Sequence, residues 1–129
     1  MVVNSRPQKR SNSVWRRRKC LRCQAVFSTI EQVDYEKTWV VQYQDGRLSA
    51  FLRDKLFVSI FKSCQHRPTA LTDALGITAT VITQAAHKIQ HGTISASELA
   101  LLCHQALSHF DQPAAIHYQA FHTTTLKEI

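Results

Sequence analysis

The amino-acid sequence predicts an α+β chain: a short basic module, then a β-hairpin, then about four helices. Three observations carry that prediction. The positive charge is concentrated at the front, where Arg6, Lys9, Arg10, Arg16, Arg17, Arg18, Lys19 and Arg22 contribute +8 before the first acid, Glu31. The rest of the chain sets eight Lys and Arg against nine Asp and Glu and is close to neutral. Next, β-branched and aromatic residues before Phe51 give way to a helical apolar period after it. Finally, three Gly and three Pro among 129 residues leave room for few loops, and 44% hydrophobic residues suffice for a packed core.

The elements follow in order. Residues 1–22 are polar and basic and show neither helical nor strand periodicity. Ala25-Val26-Phe27-Ser28-Thr29-Ile30 reads as a short strand leaving the Cys20-Leu21-Arg22-Cys23 turn. Glu31 to Lys37 mixes charges and reads as a linker. Trp39-Val40-Val41-Gln42-Tyr43 is strand-like, Gln44-Asp45-Gly46 marks a tight turn, and Arg47 to Phe51 is the return strand of a hairpin. Leu52, Leu56 and Ile60, with Phe57 and Phe61, then supply the apolar faces of a helix that Pro68 ends. Leu71 to Ile89 is a second helical region, with Gly76 as an expected interruption. It turns Val81, Ile82, Ala85, Ala86 and Ile89 inward, and Gly92 terminates it. Ser95-Ala96-Ser97-Glu98 is a capping box, in which the Ser hydroxyl and the Glu carboxylate satisfy free backbone N–H groups. The helix it starts is expected to bury Leu99, Leu102, Cys103, Ala106 and Leu107. Asp111 caps a last helix that tolerates Pro113 in its first turn and packs through Ile116, Tyr118 and Phe121.

Composition narrows the function. No 18-residue apolar run exists, so no membrane span is expected. Val2-Val3 is followed at once by polar and basic residues, unlike a signal peptide. Cys20, Cys23, Cys64 and Cys103 therefore suit a reducing compartment better than a disulfide framework, and a cytoplasmic location is expected. The basic front suits a polyanion such as double-stranded DNA, and its attachment to a neutral domain suggests a reader joined to a sensor. Arg16, Arg17, Arg18 and Lys19 are its sharpest part. Such runs contact phosphates, giving affinity and salt dependence without sequence information. Trp15 beside them can stack on a base or anchor the module, and a solvated tail satisfies the same composition.

Cys20 and Cys23 place two thiols on a tight turn, half of a tetrahedral zinc site. A redox pair is the other reading, although no βαβ pattern surrounds it. Cys64 and Cys103 fall on apolar helical faces as small hydrophobes. His87 and His91 are four residues apart without an acid or third ligand, and His104/His109 and His117/His122 lie on different helix faces; ordinary surface histidines account for all of them. Neither a Ser-His-Asp order, paired catalytic carboxylates, nor a Gly-rich phosphate loop is found, so an enzyme is not expected.

Several segments together resemble the NrdR family, transcriptional repressors of ribonucleotide reductase genes. Val2-Val3-Asn4-Ser5-Arg6 is similar to its V-I-D-S-R strand, and Val14-Trp15-Arg16-Arg17-Arg18-Lys19-Cys20-Leu21-Arg22-Cys23 to its I-R-R-R-R-x-C-x-x-C segment. Phe27-Ser28-Thr29-Ile30-Glu31 matches the R-F-T-T-x-E continuation. Asp45-Gly46-Arg47 through Phe51, then Asp54-Lys55-Leu56, resemble the opening of an ATP-cone; Lys62 to Pro68 resembles the A-C-E-K-R-P that ends its first long helix. Phe110 to Tyr118 parallels L-D-x-V-A-Y-V-R-F.

The resemblance implies a partial zinc-ribbon module at 1–32, a linker at 33–38, an ATP-cone at 39–125 and a tail at 126–129. In such an arrangement Arg16, Arg17, Arg18 and Lys19 face double-stranded DNA, and Cys20 and Cys23 bind Zn2+. Lys55 meets the phosphates of ATP or dATP, Val40, Val41 and Phe51 form the apolar wall near the base, and Lys62 and Arg67 are further phosphate contacts. Core packing explains Val40, Val41 and Phe51 equally well, and a solvated helix face explains Lys62. The family's first Cys-P-x-Cys, expected a few residues before Val2, is absent, so the chain resembles an N-terminally truncated member with an incomplete zinc site. The cone's usual Lys-Arg before Asp-Gly is Tyr43-Gln44, and a frequent Glu is Ser49, which removes charged contacts. The expected function is a nucleotide-responsive, homo-oligomeric repressor of reductase genes. The alternative is an ATP-cone module that binds nucleotide and self-associates without specific DNA binding. The Arg16 to Cys23 segment argues against a third reading, the regulatory fragment of an enzyme.

Overall fold

The computed structural model describes residues 1–8 and 13–122. Lys9 and Arg10 of the basic block, residues 123–125 of the expected second domain and the 126–129 tail lie outside the described residues. The chain divides into two compact units, with the boundary between Asp34 and Tyr35.

The first unit is an antiparallel sheet of β1 (Val2–Gln8), β2 (Ser13–Lys19) and β3 (Val26–Glu31), in the order β1-β2-β3. Strands therefore occupy the front where no periodicity was expected. The reason is that period-two patterning appears only when one face is buried. Here cationic side chains occupy both faces of β2, and apolar residues of β3 stay in water, Ile30 being 63% exposed. Between β2 and β3 the Gln24 N–H donates to the Cys20 carbonyl (2.9 Å) and the Cys20 N–H to the Ala25 carbonyl (2.8 Å). Gln24 takes the left-handed φ of +64° that closes this turn.

The second unit opens with α1 (Tyr35–Thr38), one turn within the stretch read as linker. Aromatic packing orders it: the Tyr35 and Trp39 rings lie 4.4 Å apart, and the Trp39 N–H donates to the Tyr35 carbonyl (2.8 Å). The hairpin follows as β4 (Val40–Gln42) and β5 (Leu48–Ala50). At its turn the Asp45 carboxylate accepts from the Arg47 N–H (2.9 Å) and Gly46 takes φ +87°. A third strand, β6 (Thr93–Ser95), pairs parallel with β4, giving the order β5-β4-β6.

Among the described residues four helices of two or more turns complete this unit: α2 (Arg53–Cys64), α3 (Ala70–Lys88), α4 (Ala96–Phe110) and α5 (Gln112–Phe121). α2 packs on α3 and α5, α4 packs on α3 and α5, and α4 also meets β6. Ile60, Cys64, Ala74, Val81, Ala85, Cys103, Leu107 and Ala114 are fully buried at their centre. α3 runs unbroken through Gly76, contrary to the expected interruption. A helical glycine costs only about 1 kcal/mol against alanine, and the helix is buried on either side of it, through Ala70 and Ala74 before and Ile77, Thr78, Val81, Ile82 and Ala85 after. The Ser95 half of the expected α4 capping box forms, with Ser95 Oγ accepting from the Glu98 N–H (3.1 Å). Asp111 caps α5, accepting from the Ala114 N–H (3.3 Å). In α5 the inward stripe is Ala114, Ala115 and Tyr118, whereas Ile116 and Phe121, expected to pack, are 64% and 75% exposed. Asp111 fixes where the helix starts, and the two small alanines admit the close approach. Among the described residues no helix is long and apolar enough to cross a membrane.

Candidate functional site

In the first unit, β2 carries Arg16, Arg17, Arg18 and Lys19 between two partner strands. Arg17 is exposed, and its guanidinium donates to Ser28 Oγ (3.3 Å). Arg18 Nε donates to Thr29 Oγ1 (3.0 Å), and Arg16 pairs with Glu31 at 3.7 Å. These bonds hold the arginine stems along the sheet, so the charges are presented by a rigid element instead of a tail.

Directly after β2, Cys20 is half-buried and Cys23 exposed, both free. The backbone N–H groups of Cys23 and Arg22 point to the Cys20 thiol and hold its pKa below the ordinary thiol value, because they favour the thiolate. Thiolates on a tight turn are the donors zinc takes. Among the described residues, however, no group of three or more His, Cys, Asp or Glu is placed to hold a metal. The pair is therefore half a tetrahedral site and does not by itself fit a closed one.

In the second unit a cavity of about 160 Å³ opens between the hairpin and three helices. Val41, Tyr43, Ser49 and Phe51 come from the hairpin, Lys55 and Ser59 from α2, Leu99 and Ala100 from α4, and Tyr118 and His122 from the end of α5. The wall is mostly apolar, with the Lys55 ammonium as its cation. His122 stacks on Tyr118 (centroids 3.9 Å, interplanar angle 14°). Its Nδ1 lies 2.9 Å from the Tyr118 carbonyl. A carbonyl only accepts, so Nδ1 carries the proton, and Nε2 faces Ser59 Oγ at 3.4 Å. Behind this wall Tyr118 meets Cys103; burial pushes the Cys103 thiol up to about 12 and raises the Tyr118 phenol as well. Both are neutral packing groups.

The structure thus brings together Val41, Phe51 and Lys55 of the residues singled out from the sequence. It does not bring the others to the cavity. Val40 alternates to the opposite side of β4 from Val41. Lys62 is exposed near the end of α2. Arg67, beyond that helix, pairs with Asp73 (2.9 Å) and Asp111 (3.6 Å), its guanidinium 4.6 Å from the Phe110 ring centre. Sequence reasoning missed Ser59, Tyr118 and His122. The signal for His122 was its place in the last turn of a helix whose Tyr118, one turn back, was expected to be buried.

The Arg67 cluster carries its own prediction. The Thr69 hydroxyl and Arg67 guanidinium hold the Asp73 carboxyl below its ordinary 3.8. A depressed carboxylate stabilises the fold above the ordinary value, and that contribution is lost as pH falls through the lowered one. Asp73→Asn should therefore lower the urea midpoint at neutral pH and approach wild type as pH falls below the lowered value. A midpoint difference that ignores pH would remove the carboxylate from the argument.

Comparison with known proteins follows the same division. The family model "Transcriptional repressor NrdR-like, N-terminal domain", a zinc ribbon, matches residues 1–31, ending with β3. Proteins named "Transcriptional repressor NrdR" from Streptococcus pneumoniae strains Hungary19A-6, 70585 and JJA are each 33% identical over 111 residues, covering 86% of this chain and 69% of theirs. The chain belongs to the NrdR family. The aligned stretch is longer than either compact unit, so NrdR likeness extends across the boundary at Asp34. The family is one of transcriptional repressors, and the basic sheet of the first unit is its zinc-ribbon domain.

Proposed function

We propose that this chain is a nucleotide-responsive DNA-binding repressor of ribonucleotide reductase genes. Its ribbon meets double-stranded DNA, and its second unit binds ATP or dATP and thereby selects the homo-oligomer that forms. The observation that carries the nucleotide half is the convergence of Lys55 with the apolar residues Val41 and Phe51 on one cavity. A purine needs an apolar slot, and its triphosphate needs cations at one end. Arg47, held 4.3 Å over the ring of Tyr43, sets a second cation against the cavity wall where the family's usual basic pair is missing. Nucleotide binding then acts as a population shift: it favours whichever oligomer binds it better, and oligomer geometry decides how many ribbons reach one DNA together.

Calorimetry with ATP and dATP tests this reading. Lys55→Ala removes a charge-assisted hydrogen bond worth about 1.5–3 kcal/mol, so affinity should fall about ten- to a hundred-fold while the thermal midpoint of the exposed site barely moves. Equal affinity would refute the phosphate role. A second reading, a nucleotide-binding and self-associating module without specific DNA binding, is favoured by one observation: Cys20 and Cys23 have no third ligand among the described residues. Anisotropy of reductase-promoter DNA separates the two, since weak, salt-sensitive and nucleotide-blind binding belongs only to the second.

A further inference from the structure

Strand alternation divides the arginine run between two faces of the ribbon. Val14, Arg16 and Arg18 project to one side and Trp15, Arg17 and Lys19 to the other. Register with the neighbouring strands completes each face. Trp15 lies between Arg6 and Ile30, Arg17 between Asn4 and Ser28, and Lys19 beside Val26. The side-chain bonds obey the same division. Arg17 reaches Ser28 on its own face, whereas the Arg18–Thr29 bond and the Arg16–Glu31 pair lie on the other.

The two faces differ in charge. The Arg16 face has two cations and a carboxylate, Glu31, whose side chain is 75% exposed and repels an approaching phosphate. The Arg17 face carries Arg6, Arg17 and Lys19 and, among the described residues, no acid. Arg17 and Lys19 stand about 6.6 Å apart along the strand, and Arg6 sits diagonally about 7–8 Å from Arg17. Such a row can meet separate phosphates, because its members are too far apart to crowd one. Trp15, half-buried among them, offers an apolar edge to a sugar or base.

We propose that duplex DNA lies against the Arg17 face, with Arg6, Arg17 and Lys19 each on a backbone phosphate, while Arg16 and Arg18 chiefly brace the sheet from behind. This rests on the DNA-binding reading above. The test uses the full chain and a short mixed-sequence DNA duplex, with anisotropy titrations across a salt series. Arg6→Gln/Arg17→Gln and Arg16→Gln/Arg18→Gln remove the same net charge, so a purely electrostatic tail would respond to them equally. Each phosphate contact contributes about 0.9 to the slope of log affinity against log salt. The first pair should therefore lower the slope by about two and the second by less than about one. Lys19→Gln, which touches no side-chain bond across the sheet, should lower it by about one and keeps the assignment testable if a double variant unfolds.

Equal losses from the two pairs, a larger loss from Arg16/Arg18, or an unchanged slope in Lys19→Gln would overturn the face assignment and leave DNA binding standing. A wild-type chain that does not bind the duplex would overturn the DNA reading itself.

Discussion

Phe51→Ala is expected to destabilise the second unit by about 3–5 kcal/mol, the range for deleting a buried phenylalanine. Phe51 is 2% exposed and closes the hairpin against the helices. Its ring meets Trp39 (5.3 Å, 74°) and Tyr35 (5.8 Å, 73°) edge-on, and its N–H donates to the Trp39 carbonyl (3.1 Å). Alanine forfeits the transfer energy of the ring, leaves a void and removes both aromatic contacts. Domains of this size have about 5–15 kcal/mol in hand, so the loss is a large share of the whole. Urea denaturation followed by circular dichroism measures it. Because Phe51 also walls the cavity, the variant should lose ATP affinity even where it remains folded. A stability change below about 1 kcal/mol would show that the neighbouring rings collapse into the gap, and unimpaired ATP binding would exclude Phe51 from the nucleotide wall.

The helical half of the fold was legible because its signals are local. The Ser95 cap of α4, Asp111 ahead of Pro113 and the Asp45-Gly46 turn each contain their own hydrogen-bonding partner within four residues, and each forms in the structure. The elements that escaped depend on partners distant in sequence. β6 is three residues long and exists by pairing with β4, more than fifty residues earlier in the chain. β1 and β2 are held by cross-strand bonds while both faces stay wet, so their composition shows no alternation to find. The site divides the same way. Val41, Phe51 and Lys55 lie close in sequence on a hairpin and the helix it feeds, whereas Tyr118 and His122 reach the cavity only when α5 docks. Arg67 shows the converse: its motif suggested phosphate, but Asp73 and Asp111, brought to it by α3 and the α5 cap, occupy its guanidinium.

Gly92→Ala should cost about 1.5–3.5 kcal/mol, more than Gly46→Ala, although both glycines sit at positive φ. At Gly46 (φ +87°) an added Cβ meets nothing within 4 Å, so only the left-handed backbone penalty of about 1–2 kcal/mol applies. At Gly92 (φ +74°) the same Cβ falls 2.9 Å from the Thr38 carbonyl oxygen, a backbone atom that cannot swing aside. That approach is enforced, because the Gly92 carbonyl accepts from the Val40 N–H at 2.8 Å and so fastens the turn after α3 to the start of β4. Relieving the clash means stretching this bond, adding about 0.5–1.5 kcal/mol to the backbone penalty. His91 beside it also has positive φ (56°), so the turn has no relaxed neighbour to absorb the shift. Urea midpoints of the two variants decide the matter, equal losses showing that the turn moves freely. The consequence reaches the cavity. β6 leads directly into α4, whose Leu99 and Ala100 form one wall, so a displaced turn should weaken ATP binding in Gly92→Ala and leave it unaffected in Gly46→Ala.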